Sequence, residues 1–289
     1  MTDAKLAGLE ERYAEVKGVR MRYFGGGTGP ALVLVHGLGG AASNWTELAP
    51  ALARRHRLLV PDLPGHGGSS ALPAVSGLDA FADRVALVAE REEMLPAALV
   101  GHSLGGAIAL RLALRRPADV RALVLAASAG LSVGGVWGRQ LLSIFSTVRP
   151  GRIAARGRSW VARSYLLRRL VFGVVSVADP GALTNEAVEA FLAAQLLHTD
   201  LDGAWQALRA DDLRQELASI RCPVLVLWGA ADVQLPLDDA FEFTRRLHGR
   251  LRVIPGCGHL LIGERADVCD RAIEEFLGDG GLERHHLRA

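Results

Sequence analysis

Short apolar runs recur along the chain between longer segments of helical period, and no other feature narrows the possible folds so far. The runs are Ala31–Val35, Arg57–Val60, Ala97–Val100, Val120–Leu125, Pro223–Trp228 and Leu251–Ile254. Runs of this length bounded by turn residues read as buried strands. Strands alternating with helical segments imply crossover connections, so the pattern predicts an α/β protein with a mostly parallel central sheet flanked by helices.

The intervening helices are expected at Ser43–Arg54, at Leu78–Glu93, from the turn after Val100 to about Arg116 where Pro117 stops it, and at Asp267–Leu277. Ahead of them a helix-like N-terminal segment leads into Tyr13–Lys17 and Val19–Phe24, which read as a hairpin around Gly18. The interval between Val120–Leu125 and Pro223–Trp228 is anomalous: about 90 residues of helical period without a strand signal, far beyond an ordinary crossover. It predicts an inserted helical subdomain over 131–217, dividing the remainder into a first core part, 1–130, and a second, 218–289. The polar tail Leu282–Ala289 is expected to fray.

Composition excludes several classes. The chain has 289 residues, half of them hydrophobic and 22% charged, which suits a globular protein with a sizeable core. A net charge of +2 makes no case for nucleic acid. Three cysteines, Cys222, Cys257 and Cys269, have no short paired spacing and fit neither a disulfide framework nor a zinc site. The first residues lack the apolar stretch of a signal peptide, and no run reaches membrane-span length, so a cytoplasmic location is expected.

The strand Ala97–Val100 runs into Gly101-His102-Ser103-Leu104-Gly105-Gly106 and then directly into an apolar helix. G-x-S-x-G gains meaning from that context: a tight strand-to-helix turn lifts the serine hydroxyl above the sheet. The helix N-terminus beside it places positive potential where negative charge would develop. A serine hydroxyl is a weak nucleophile at neutral pH and needs a base, which in turn needs an orienting acid. Asp232 follows the strand Pro223–Trp228, and His259 lies in the Gly-rich loop after Leu251–Ile254, in the order serine, acid, histidine. The loop Ala126–Gly130 offers no carboxylate; Asp211 and Asp212 suit helix ends, and Asp238 and Asp239 a helix start. His56, His198 and His248 read as surface or packing residues, His285 and His286 belong to the tail, and His102 is expected to make a structural hydrogen bond.

Acyl transfer needs donors for the oxyanion. The expected pair is the backbone N–H of Leu104, after the nucleophile, and that of Leu38 in His36-Gly37-Leu38-Gly39-Gly40, with His36 anchoring the loop. Asp62-Leu63-Pro64-Gly65-His66-Gly67 lacks a phosphate-loop pattern and reads as a structural corner.

Together H-G-L-G-G at 36–40, D-L-P-G-H-G at 62–67, G-H-S-L-G-G at 101–106, W-G-A-A-D at 228–232 and G-C-G-H at 256–259 resemble the α/β-hydrolase superfamily, in its lid-bearing esterase and lipase branch. The resemblance implies an α/β-hydrolase fold with a helical lid, a Ser103–His259–Asp232 triad, and no cofactor or metal. Serine at 103 separates the chain from relatives with an aspartate nucleophile, and the loop at 36–40 lacks the H-G-G-P-G of iminopeptidase relatives. Carbon–carbon bond hydrolases typically carry Asn where His102 stands.

The expected activity is hydrolysis of a carboxylic ester with a hydrophobic acyl or alcohol part. Carbon–carbon or thioester hydrolysis on the same triad, and a catalytically silent ligand-binding protein, are the alternatives. Acyl chain length, stereochemical preference and oligomeric state are left open. The expected partner is a small hydrophobic acyl substrate. Between Val120 and Ala178 the chain has no acidic residue but many arginines, with Trp137, Phe145, Trp160, Tyr165 and Phe172 among them. That segment reads as a lid with a solvated basic face; a sharper reading gives the face a weak contact with an anionic interface or acidic substrate.

Overall fold

A computed structural model describes residues 6–73, 76–132, 150–173 and 176–278. Trp137, Phe145, Arg139, Arg149 and the tail with His285 and His286 lie outside the described residues, as does part of the expected insertion.

Eight strands form one sheet: β1 (Glu10–Val16), β2 (Val19–Gly26), β3 (Ala31–Val35), β4 (Arg57–Pro61), β5 (Ala97–His102), β6 (Val120–Ala126), β7 (Val224–Gly229) and β8 (Arg250–Ile254). Their order is β1-β2-β4-β3-β5-β6-β7-β8, with β1–β2 and β2–β4 antiparallel and the other neighbours parallel. Lys17 and Gly18 both take positive φ, 46° and 73°, as a two-residue hairpin turn requires. The six apolar runs are the six strands β3 to β8. β5 is buried throughout because it has neighbours on both edges and helices against it.

The flanking helices include α1 (Ala49–Leu52), α2 (Leu78–Arg91) and α3 (Leu104–Arg115). The helix expected over Ser43–Arg54 is in fact two short pieces, a 3₁₀ turn at Ala42–Trp45 and α1, because Pro50 suits only a helix start and interrupts a continuous ladder. The hairpin expected from Tyr13–Lys17 and Val19–Phe24 is present as β1 and β2, but β1 begins earlier, at Glu10, where a helix-like segment was expected. Glu10 to Val16 is a half-exposed edge strand whose polar residues favour either state, and pairing with β2 decides between them.

Between β6 and β7 lie α4 (Pro150–Arg156), α5 (Arg158–Arg163), α6 (Tyr165–Val171), α7 (Asn185–Ala194) and α8 (Leu201–Ala210). The Thr184 hydroxyl caps α7 by accepting from the Ala187 N–H at 3.0 Å. A second apolar cluster, including Ala155, Val161, Phe172, Leu183, Val188 and Phe191, holds α4 to α7 together, apart from the main core. Ala204 and Leu208 of α8 belong to the main core instead. The chain closes with α9 (Leu237–Leu247), α10 (Leu261–Glu264) and α11 (Ala266–Gly278). No helix among the described residues is long and apolar enough to cross a membrane.

The order of strands positions the site. From β3 the chain moves outward to β4, then returns to the other side of β3 to form β5. The loops leaving β3 and β5 therefore diverge at the carboxyl edge, opening a crevice between them. The loops after β7 and β8 reach the same edge.

Candidate active site

Ser103 joins β5 to α3 with φ 54° and ψ −118°, a backbone conformation that costs a non-glycine residue roughly 1–3 kcal/mol. The neighbouring loop enforces it: the Ser103 N–H donates to the Ala126 carbonyl at 3.0 Å, and the Ala129 N–H donates to the Ser103 carbonyl at 3.0 Å. Gly105 allows the turn to close, since a Cβ there would overlap the Val35 and His36 carbonyl oxygens. Ser103 is half-buried while its elbow neighbours are buried, so the hydroxyl stands at the opening.

His259 and Asp232 meet at this edge. The His259 Nδ1–H donates to Asp232 Oδ2 at 2.8 Å, and both side chains are buried. Asp232 Oδ1 accepts the Gln234 and Leu235 N–H groups at 2.8 and 3.0 Å. Burial alone would raise the Asp232 carboxyl, but the charge and hydrogen bond of His259, helped by those two amides, outweigh it and hold the group below its ordinary value. A carboxylate only accepts, so Nδ1 carries the ring proton and the neutral ring keeps a lone pair at Nε2. Among the described residues no hydrogen bond joins that Nε2 to Ser103 Oγ. Such contacts often tighten only when substrate is bound.

Glu264 fixes the histidine loop. Its buried carboxylate accepts the Gly258 N–H at 2.8 Å, the Asp179 N–H at 2.7 Å and the Ala178 N–H at 3.1 Å, joining the loop to the insertion. His102 donates from Nε2 to the His259 carbonyl at 2.9 Å, the structural bond expected of it. Burial lowers His102 to about 3, so it stays neutral. Cys257 is buried in the same loop, and burial pushes its thiol up, which leaves it unreactive.

On the opposite side, a Cβ added to Gly37 would lie 3.0 Å from the Ser103 Cβ, so the β3 loop abuts Ser103. His36 Nδ1–H donates to the Gly37 carbonyl at 2.8 Å, and its Nε2 accepts the Leu63 N–H at 3.0 Å. A peptide is planar and trans, so fixing the Gly37 carbonyl aims the Leu38 N–H the opposite way. Among the described residues neither the Leu38 nor the Leu104 N–H has an acceptor. Gly39 is held from above: Gln195 Nε2 donates to its carbonyl at 2.6 Å, and His198 Nε2 does so at 2.8 Å while its Nδ1 accepts the Gly67 N–H at 3.2 Å.

His198 thus braces a loop as well as packing. It stacks edgewise on His66, which lies 5.3 Å from His36. Asp62 shapes the adjoining corner by accepting the Ala42 and Gly68 N–H groups at 2.7 and 2.8 Å, the structural part read for that loop. Asp211 ends α8 and pairs with Arg111, and Asp239 accepts from Ser132, so the rival acids are committed elsewhere. Glu264, Gln195 and His198 were not legible as site residues. The only trace of Glu264 is its place five residues after His259. Among the described residues no group of His, Cys, Asp or Glu side chains could hold a metal ion.

This sheet order and motif set have counterparts among known proteins. The profile of the alpha/beta hydrolase fold family matches residues 30–266, and the chain belongs to that family. It is similar to the dihydrolipoyllysine-residue acetyltransferase component of the acetoin cleaving system of Pseudomonas putida, 33% identical over 91% of this chain and 68% of that protein. It is also similar to the pimeloyl-[acyl-carrier protein] methyl ester esterase of Nitrosomonas europaea, 32% identical over 81% of this chain and 90% of the esterase. Among solved structures it resembles a membrane phospholipase A described as a bacterial virulence factor, with a TM-score of 0.74 and 27% identity over 96% of this chain and 88% of that one.

Proposed function

We propose that the protein is a serine hydrolase that cleaves a carboxylic ester with a hydrophobic acyl or alcohol part through an acyl-enzyme. Ser103 Oγ attacks the ester carbonyl as His259 Nε2 takes its proton, and Asp232 steadies the imidazolium that results. The oxyanion forms against the Leu38 and Leu104 N–H groups. His259 then returns the proton to the departing alcohol, and water, activated by the same ring, releases the acid. The route draws on no metal or cofactor.

The observation that carries this reading is the His259–Asp232 pair at 2.8 Å, set at the carboxyl edge where Ser103 is held at φ 54°. Ester specificity is further supported by the methyl ester esterase among the relatives. In the intact protein the helical insertion acts as a lid whose Gln195 and His198 hold the oxyanion loop in place.

A serine-directed phosphonate should label the wild type and fail on Ser103→Ala, while Ser103→Ala keeps its circular dichroism spectrum. Run beside it, a panel of chromogenic esters, thioesters and ring-cleavage products should show preference for apolar esters. Absence of labelling would identify a silent binding protein, and preference for the ring-cleavage product would replace the ester reading with carbon–carbon hydrolysis.

A further inference from the structure

The large apolar side chains exposed among the described residues are unevenly placed. Tyr13, Val233 and Phe241 are scattered, whereas Ile153, Trp160, Tyr165, Leu166 and Leu170 all lie on the consecutive helices α4, α5 and α6. Trp160 is 80% exposed and Leu166 73%, values that leave most of each residue in water. These are not core residues of helices waiting for a partner, because α4 and α5 already bury Ala155, Val161 and Ala162 in the insertion's own cluster and α6 packs Leu167 and Val171 against it, half-buried. They form a second, outward apolar face.

Arginines divide by the same geometry. Arg168 turns inward to the Ala162 and Leu183 carbonyls, and Arg158 reaches the Ala155 carbonyl at 3.4 Å. Arg152, Arg156, Arg163 and Arg169 are exposed among the apolar residues, and no carboxylate among the described residues pairs with them. A groove of about 360 Å³ between α5 and α6 is lined by Ser159, Trp160, Arg163, Ser164 and Leu167, with the hydroxyl and guanidinium donors beside the indole.

We propose that the outer face of α4–α6 docks on an anionic phospholipid surface. Apolar side chains interleaved with unpaired arginines suit a boundary where apolar tips enter the acyl region and guanidinium groups stay among phosphates. Trp and Tyr suit the same depth, being apolar with a polar edge. Charge complementarity selects the anionic surface. A second copy is a poor occupant, because a two-fold interface would set these arginines against one another. The inference does not rest on the proposed triad; it needs only the insertion.

Its test uses the full-length protein and sedimenting vesicles of phosphatidylcholine with or without a quarter phosphatidylglycerol. The protein should sediment with the anionic vesicles and much less with the neutral ones. Arg156→Glu with Arg163→Glu should weaken that partition about 100-fold, and Trp160→Ala about tenfold. Both variants should keep the wild-type circular dichroism spectrum and turnover of a short soluble ester. Brominated acyl chains should quench tryptophan emission in the wild type, with the quenching lost in Trp160→Phe. Equal binding to both vesicles, no binding, or partition unchanged by charge reversal would each overturn the proposal. So would light scattering that showed a dimer dissolved by Trp160→Asp, since the occupant would then be a second copy.

Discussion

At Asp232 the two carboxylate oxygens have separate duties: Oδ1 takes two loop amides and Oδ2 takes the imidazole. Asparagine could keep the first duty but would turn an amide N–H toward Nδ1 or force the ring into the other tautomer. Asp232→Asn should therefore lower kcat on a soluble ester by about 10⁴-fold with KM little changed, read from steady-state kinetics. Glu264 is a different case, because its carboxylate serves three backbone donors and the Cys257 thiol and no imidazole. Glu264→Leu would strand the Gly258, Ala178 and Asp179 amides and should destabilise the fold by more than about 3 kcal/mol in urea titration, with Glu264→Gln falling between it and the wild type.

Between elements, the site is a set of loops that brace one another. The loop after β6 pins the elbow through Ala126 and Ala129, α10 pins the histidine loop through Glu264, and the segment after α7 pins the loop after β3, the proposed oxyanion loop, through Gln195 and His198. Removing the strongest donor to the Gly39 carbonyl should let the Leu38 N–H wander. Gln195→Ala should then lower kcat by about 10- to 100-fold while phosphonate labelling of Ser103 persists at a reduced rate. An unchanged kcat would separate the insertion from the hole. The acid and histidine loops cross closely at Gly229, where a Cβ would overlap the Gly258 and Cys257 carbonyls. Gly229→Ala should cost about 1–3 kcal/mol in thermal or urea unfolding and lower turnover through a displaced His259.

Across the whole molecule, burial leaves three histidines neutral. His36, His66 and His102 are each held at about 3 by burial first of all, whereas an unfolded histidine titrates near 6.5. Between those values the unfolded chain binds more protons, so stability rises with pH and is lost as pH falls below about 6.5. Each histidine contributes a slope of up to about 1.4 kcal/mol per pH unit in that window. Asp232 adds to the loss at lower pH, since its folded value is depressed: its share is present above the ordinary carboxylate value and disappears as pH falls through the folded one. Urea midpoints measured from pH 7.5 to 4.5 should decline, and His102→Asn should flatten the decline. A profile flat across that range would contradict the buried neutral histidines.

β3 to β7 could be read along the chain because they lie within the sheet, and double-sided burial leaves an uninterrupted apolar run; β8, an edge strand with Arg250 and Arg252 exposed, showed only in Leu251, Val253 and Ile254. The elbow was legible for a related reason: its strand, glycines and helix are contiguous, so the steric demand at Ser103 is written within six residues. Of the edge strand β1 the part from Tyr13 onward was legible through the hairpin turn at Gly18; Glu10 to Arg12 was not, since one exposed side removes the apolar signal and only the partner strand decides its state. Nor were the braces of the site. Gln195 and His198 reach Gly39 across 156 and 159 residues, and polar side chains that far apart leave no periodicity to read. The sequence by itself determined the strands, the strained serine turn and the order in which serine, acid and histidine occur. The tertiary structure alone decided which strand lies beside which and which polar groups fix the loops, because those choices depend on burial that exists only once distant segments have closed on one another.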